Sequence, residues 1–325
     1  MNTLQGFRRA LTLAIAALVA APAISLAQEW PTRPVKIVVP FAPGGGSDFI
    51  ARYVAKRLTD ELKQPFIVEN RPGAGGNIGT EQGIKAPPDG YTLTLIASSY
   101  TVNPSVYKLN FDPVADITPI IQISQGPLLV VVTPSLPVKT LQELIALSKA
   151  KPNEVNFASS GQGSIIHAAT EMFNLRAGTK MTHVPYKGSG PALTDTLAGT
   201  TQVFFSSAST IMPQVQAGKL RAIAVTTPKR IAALPNVPTV AESGVPGFEV
   251  TLWHGLIGPK GMPTAIVDKI NADMNEALRS PGVAQRLAQL SAEPVGGTRA
   301  ATAAYFAEEI ERWRNVIKAA GVKIE

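Results

Sequence analysis

No cysteine occurs among the 325 residues. That absence removes disulfides, thiolate metal sites and cysteine nucleophiles together. Charge is also scarce, at 16% of the chain against 45% apolar residues. A chain with that balance builds a packed core rather than staying disordered. Histidine occurs three times, at His167, His183 and His254, too scattered for H-E-x-x-H or any other recognised metal spacing. No Ser stands in G-x-S-x-G, and no Walker A sequence is found. S-x-x-K occurs at Ser105–Lys108 and Ser148–Lys151, with no S-D-N or K-T-G companion. The sequence therefore supports no enzyme, assigns no catalytic residue and calls for no metal or cofactor. Beyond the N-terminus no uncharged apolar run approaches the ~18 residues of a membrane span. The formal charge is +7, but the basic residues are scattered, with no Lys/Arg block or basic–aromatic alternation. Nucleic acid is not an expected partner; a mild positive field suits anionic solutes.

What the chain does contain begins with an export signal. Arg8 and Arg9 precede an uncharged apolar stretch, Ala10 to Ala21, and Ser25-Leu26-Ala27 is a small-x-small cleavage site. Cleavage after Ala27 is expected, giving a soluble, exported chain from Gln28.

The stretch that organises the rest is Pro43-Gly44-Gly45-Gly46-Ser47-Asp48. It follows an apolar strand, Val35 to Phe41. It opens a helix whose Ile50, Val54, Leu58 and Leu62 fall on one face. Ser47 is read as the N-cap and Asp48 as a first-turn acid. Glycines expose backbone N–H groups, and the helix dipole adds positive charge at the same place. The unit is an anion site in outline. A second copy follows. Strand Asn153–Phe157 leads into Ser159-Ser160-Gly161-Gln162-Gly163-Ser164 and then into a helix from Ile165 to Phe173. Two such cradles suggest two lobes facing one ligand.

Between them the chain keeps a βαβ rhythm, which implies parallel strands flanked by helices. Phe66–Glu69 and Tyr91–Ile96 read as strands, and Asn70–Gly79 as a long turn. That turn lacks the last glycine of G-x-G-x-x-G, so a dinucleotide site is not supported. Ser98, Ser99 and Asn103 follow the third strand at its C-terminal end, where ligands of open α/β sheets bind. Leu128–Thr133 reads as a buried strand beyond the first crossing between lobes, and Thr140–Ala150 as a helix. Gln202–Phe205 and Leu220–Thr226 read as strands. The Pro-rich run from Leu234 to Gly247 is taken as the return crossing, and the remainder as helical. Ile266, Ile270, Met274 and Leu278 mark one late helix; Phe306, Ile310, Trp313 and Ile317 mark the last. The domains expected are a leader 1–27, a discontinuous lobe 28–126 with 247–325, and a lobe 127–246.

Several segments together resemble a known family. They are Trp30-Pro31-x-Arg33-Pro34, Phe41-x-Pro43-Gly44-Gly45-x-x-Asp48-x-x-Ala51-Arg52, and Val68-Glu69-Asn70-Arg71-Pro72-Gly73-Ala74-Gly75-Gly76. Pro88-Asp89-Gly90-Tyr91, His183-Val184-Pro185-Tyr186-Lys187-Gly188, Ala217-Gly218-Lys219-Leu220-Arg221 and Leu234-Pro235-x-Val237-Pro238-Thr239 complete the set. The chain is similar in these to the Bug-type (TctC-like) substrate-binding proteins of tripartite tricarboxylate transporters. The resemblance implies a two-lobe periplasmic-binding-protein (Venus-flytrap) fold, each lobe a mainly parallel α/β sheet. It implies a monomer that closes on a small carboxylate and delivers it to membrane permease components; a membrane-bound sensor is the alternative partner. It also implies that the Gly44 and Gly161 turns hold carboxylate oxygens through backbone groups and waters. Where this family often has an Asp after the Phe204-Phe205 strand, Ser206 and Ser207 stand here, removing a negative charge beside the cleft.

The candidate ligand-binding residues are Phe41, Gly44, Gly45, Gly46, Ser47 and Asp48 at the first turn. Ser98, Ser99 and Asn103 follow the third strand. Ser159, Ser160, Gly161, Gly163, Ser164 and His167 belong to the second turn. Tyr186, Lys187 and Gly188, with Ser206 and Ser207, complete the set. Three roles stay open at this point: Asp48 is read as a cap and His167 as a core or capping residue, each with ligand contact as the alternative, and Lys187 either reaches into the cleft or is solvated.

Overall fold

The computed structural model describes residues 30–289 and 292–320. The leader read at 1–27 lies outside the described residues. The chain divides into two compact units, 1–32 and 33–325. In the first, the described residues 30–32 carry no helix or strand.

The second unit is built on one mixed sheet. Its strands are β1 (Val35–Val39), β2 (Phe66–Asn70), β3 (Thr92–Ala97), β4 (Ile117–Val132), β5 (Asn156–Ser159), β6 (Thr182–Pro185), β7 (Val203–Ser207), β8 (Arg221–Val225), β9 (Thr251–Pro259) and β10 (Glu293–Pro294). Their order is β2-β1-β3-β9-β4-β7-β5-β6, with β8 and β10 also paired to β4. The βαβ stretches read from sequence form the parallel pairs β1–β2, β1–β3, β5–β6 and β5–β7. The middle is antiparallel. β9 runs against both β3 and β4, and β4 runs against β7 and β8.

β4 joins the two parts of the sheet. Its residues from Ile117 to Pro127 pair with β9, and those from Leu128 to Val132 pair with β7 and β8. The partner changes at Pro127–Leu128, beside the first crossing expected from sequence. Leu128 to Val132 are fully buried between their two neighbours. A continuous apolar run is what a strand covered on both faces needs.

Helices cover this sheet. In the helix Gly46–Leu62, Ile50, Val54 and Leu58 are buried at the expected four-residue spacing. It stops at Lys63, whose left-handed backbone returns its N–H to Thr59 O. The helix Leu141–Ala150 is capped by Thr140, which accepts the Glu143 N–H. In the last helix, Arg299–Ala320, Phe306, Ile310, Trp313 and Ile317 are all buried. Phe306 stacks on Trp253 of β9 with centroids 4.9 Å apart. Trp253, Phe306, Tyr100 and Ile257 belong to one buried cluster, and the β4–β7–β8 residues to another.

Three segments differ from the sequence reading. Thr251–Pro259 is a central strand and not part of a helical remainder. β4 begins eleven residues earlier than Leu128, at Ile117. The long turn after β2 contains a helix, Asn77–Ile84. Gly79 and Gly83 are needed in that helix because its backbone lies against the sheet. A Cβ on Gly79 would fall 2.5 Å from Arg71 O, and one on Gly83 1.8 Å from Thr94 Oγ1.

Candidate functional site

The first glycine turn leaves β1 and enters the helix Gly46–Leu62. Gly45 is the N-cap, so Ser47 stands inside the first turn and not at the cap. No side chain caps this helix; Asp48 reaches back to brace the turn before it. Its Oδ2 accepts the Gly44 N–H at 3.1 Å and Arg52 Nε at 3.0 Å, and its Oδ1 accepts Asn70 Nδ2 at 3.0 Å. Burial pushes this carboxyl up, but the bonds from Arg52, Gly44 and Asn70 outweigh it and hold it below its ordinary range. The Asp48 charge is therefore spent on the turn. Of the three glycines only Gly44 has a positive φ, +83°. Gly46 is there for space: a Cβ would lie 2.5 Å from Ser207 Oγ and 2.8 Å from Ser209 Oγ.

The second turn joins β5 to the helix Ile165–Ala177. Ser164 caps that helix, accepting the His167 N–H at 3.2 Å. His167 Nδ1 in turn accepts the Gly163 N–H at 3.2 Å. Ser159 Oγ accepts the Gly161 N–H at 3.1 Å and lies 2.6 Å from His183 Nε2. Burial pushes His167 down to about 4. Burial, with a smaller contribution from His167, pushes His183 down to about 3. Both imidazoles are neutral props behind the turn, so His167 holds the turn as a capping partner does.

Two further turns arrive at the same place. Tyr186 donates its hydroxyl to Asp195 Oδ2 at 2.7 Å; burial, then that carboxylate, push the phenol up to about 12. The Lys187 side chain is exposed, while its carbonyl accepts the Ala42 N–H at 2.9 Å. Gly188 precedes the helix Ser189–Leu197. Ser207 precedes the helix Ala208–Gln216 and shares hydrogen bonds with Ser209 and Thr210. Ser206 Oγ is buried with no partner among the described residues. Ser98 Oγ accepts the Trp253 N–H at 2.7 Å, which ties β3 to β9. Ser99 Oγ accepts the Ile165 N–H at 3.1 Å. Asn103 Nδ2 donates to Gly75 O and Asn77 Oδ1.

These turns enclose a cavity of about 30 Å³. Of the residues named from sequence, Phe41, Gly45, Gly46, Ser47, Ser99, Ser160 and Ser207 line it. Gly44, Asp48, Ser98, Asn103, Ser159, Gly161, Gly163, Ser164, His167, Tyr186, Lys187, Gly188 and Ser206 do not line it; they shape or brace the turns around it. The sequence reading missed Ser189, Ile165, Ile166, Ala97 and Leu252. Ser189 had a signal, since strand, Gly188, Ser189 and helix repeat the pattern of the first two cradles. Leu252 had none, because its strand was not recognised.

The cavity wall is mixed: Phe41, Ala97, Ile165, Ile166 and Leu252 are apolar, while serines and helix ends supply its polar part. The helices beginning at Gly46, Ile165, Ser189 and Ala208 all present their N-terminal ends here, with the short helix Ser99–Val102 beside them. Their first-turn N–H groups have no partner within the helix, and each end carries partial positive charge. Among the described lining residues none is charged, and hydroxyls of Ser47, Ser99, Ser160, Ser189 and Ser207 stand around the edge. Such a site attracts an anion by dipoles and hydroxyls and has no carboxylate to repel one.

Comparison with known proteins agrees with this reading. Residues 50–322 match a family described as the tripartite tricarboxylate transporter family receptor. The protein BugT of Bordetella pertussis is 40% identical over 306 residues, which is 92% of this chain and 93% of BugT. Among solved structures, R. palustris Rpa4515 with adipate superposes with a TM-score of 0.88 at 39% identity, covering 91% of this chain and 99% of that one. MatC of Rhodopseudomonas palustris, with bound malate, superposes with a TM-score of 0.84 at 32% identity, covering 89% of this chain and all of that one. With its α/β fold, its converging helix N-termini and the match over most of its length, the chain belongs to the tripartite tricarboxylate transporter receptor family.

Proposed function

We propose that this receptor captures a small mono- or dicarboxylate and delivers it to membrane permease components of a tripartite tricarboxylate-type transporter from the periplasm. The observation that carries the reading is the convergence of four helix N-termini on one cavity with no charged lining residue. The adipate and malate held by the two similar structures support the carboxylate class.

The segment up to 126 together with that from 247 forms one lobe in this reading, and 127–246 the other. The lobes close about the strand crossings at Pro127–Leu128 and before Thr251. Hydrogen bonds between the turns cross this division, among them Ala42 N–H to Lys187 O, Tyr107 Oη–H to Gln162 O, and Ile165 N–H to Ser99 Oγ. A cavity of about 30 Å³ holds a water or two and not a dicarboxylate, so the lobes separate to admit ligand.

Thermal-shift and calorimetric titration of the chain from Gln28 with carboxylates of two to eight carbons tests the proposal. A raised Tm and saturable binding by at least one acid, without turnover, are expected. No response to any acid in the panel sinks it.

A further inference from the structure

Behind the ligand cavity lies a second, smaller one of about 10 Å³. The two share Ser207 and Leu252 in their walls. Ser124, Ser209 and His254 line the second cavity as well. His254 sits on β9 opposite Ser124 of β4, and its Nδ1 lies 3.2 Å from Ser124 Oγ. The residue is 4% exposed, and its Nε2 has no hydrogen-bond partner among the described residues. A buried ring nitrogen left without a partner is costly, and it calls for a polar group or an ordered water to satisfy it.

Building on the carboxylate reading above, we propose that the binding site continues past Ser207 and Leu252 into this compartment, which takes a single neutral hydrogen-bonding group, a hydroxyl above all, at the far end of the ligand. Size and charge both point to that class. In the closed form the space is about 10 Å³, enough for one water-sized group. No Lys, Arg, Asp or Glu is among its described lining residues. Burial pushes His254 down to about 4, so the ring is neutral and brings no cation to balance a second negative charge. A hydroxyl can both donate and accept, and the Ser207 and Ser209 hydroxyls can rotate to suit it. Helix N-termini around the first cavity hold the carboxylate; the second compartment then distinguishes a hydroxy acid from its parent acid and from the matching diacid. This is the asymmetry by which a site built to bond a hydroxyl rejects the analogue lacking it.

Calorimetry on the native chain uses two series: butanoate, 4-hydroxybutanoate and butanedioate, then hexanoate, 6-hydroxyhexanoate and adipate. The expected result is that in at least one series the hydroxy acid binds about tenfold tighter than the parent acid and the diacid. His254→Phe should lower affinity for the hydroxy acid about tenfold more than for the parent acid, and His254→Gln should restore part of the difference. Should His254→Phe fail to fold, Ser209→Ala is expected to reduce the same preference. Binding of the acids with no hydroxyl preference, or equal losses for hydroxy and parent acid in the variants, overturns the inference and leaves the carboxylate reading standing. Absence of binding by every acid overturns both.

Discussion

His167 and His183 lie ring on ring, with centroids 3.8 Å apart and planes 10° from parallel. Phe157 continues the stack, its ring 4.9 Å from that of His183. The Ser159–Ser164 turn is hung on this stack by two bonds, Gly163 N–H to His167 Nδ1 and the Ser159–His183 pair. The cavity floor at Ser160 is thereby positioned by two imidazoles that do not line the cavity.

Acid stability follows from that arrangement. The folded values, about 4 for His167 and about 3 for His183, lie below the ordinary value near 6.5. Below about pH 6.5 the unfolded chain takes up protons that the folded chain refuses. The stacked pair's contribution is therefore complete above pH 6.5 and is lost as pH falls toward 4 and 3. Each such histidine adds a slope of at most about 1.4 kcal/mol per pH unit in that window. Half-buried Glu171, whose Oε1 lies 3.9 Å from His167 Nε2, is itself pushed up by burial and limits the charge available to stabilise a protonated ring. His183→Phe should be less stable than the native chain at pH 7.5 and should approach it at pH 5. Urea unfolding at the two pH values checks this; parallel losses in both proteins would show that the pair does not titrate on unfolding.

A different residue controls how closely the turns approach. Gly190 stands in the first turn of the helix Ser189–Leu197, and a Cβ there would fall 2.4 Å from Pro43 O. That obstacle is backbone and cannot rotate away. In the two-lobe reading, Gly190→Ala holds the lobes apart. Ligand affinity should fall by tenfold or more, while unfolding of the ligand-free protein changes by less than about 1 kcal/mol. Small-angle scattering at saturating ligand should give a larger radius of gyration for the variant. Native-like affinity would mean that the Pro43–Gly190 approach plays no part in closure.

Much of this was legible in the sequence, and the gaps have physical causes. Ile50, Val54 and Leu58, like Phe306, Ile310, Trp313 and Ile317, mark helix faces because one side of each helix is buried and the period shows. The helix read from Thr140 begins there, with Thr140 accepting the Glu143 N–H. β9 escaped because Trp253, His254, Gly255 and Leu256 are all buried, so no alternation betrays a strand covered on both faces. The start of β4 carries Pro119, Gln125, Gly126 and Pro127, which locally argue for a loop; β9, far away in sequence, makes it a strand. The helix Asn77–Ile84 is masked by the glycines that let it pack. At the site, the two glycine turns were readable as cradles, because strand, glycine and helix follow one another in sequence. Leu252 and His254 were not readable as cavity-lining residues, since only the β4–β9 pairing brings them there.

Two serines of the second turn should separate by role. Ser160 lines the cavity, whereas Ser164 caps its helix through the His167 N–H. Ser164→Ala should cost about 1 kcal/mol of stability, as loss of a cap does. Ser160→Ala should leave stability within about 0.5 kcal/mol and weaken the bound acid by about 1 kcal/mol. Paired measurements of urea midpoint and Kd on both variants decide it. The assignment is wrong if the stability loss falls on Ser160→Ala and the affinity loss on Ser164→Ala.

In the two-lobe reading, Tyr107 offers the cleanest probe of closure. Its hydroxyl donates to Gln162 O at 2.6 Å, joining the segment after β3 to the second glycine turn. The ring fills the space beside Gly75 and Gly163, where a Cβ would meet Tyr107 Cε2 at 3.3 Å and 2.4 Å. Tyr107→Phe keeps that ring and removes only the hydrogen bond. With the lobes apart, both the hydroxyl and the Gln162 carbonyl can bond water, so the loss costs little. With the lobes together, the Tyr107 bond to that carbonyl is missing. The bond thus favours the closed form by about 0.5–1.5 kcal/mol. Affinity for the bound acid should fall roughly three- to tenfold, and the loss should appear in the dissociation rate rather than the association rate. The ligand-free Tm should stay within about 2 °C of native, because the open form has water in place of the bond. Stopped-flow release of ligand, measured beside a thermal scan, separates the outcomes. A slower association rate with unchanged release would place Tyr107 on the entry path and remove it from closure.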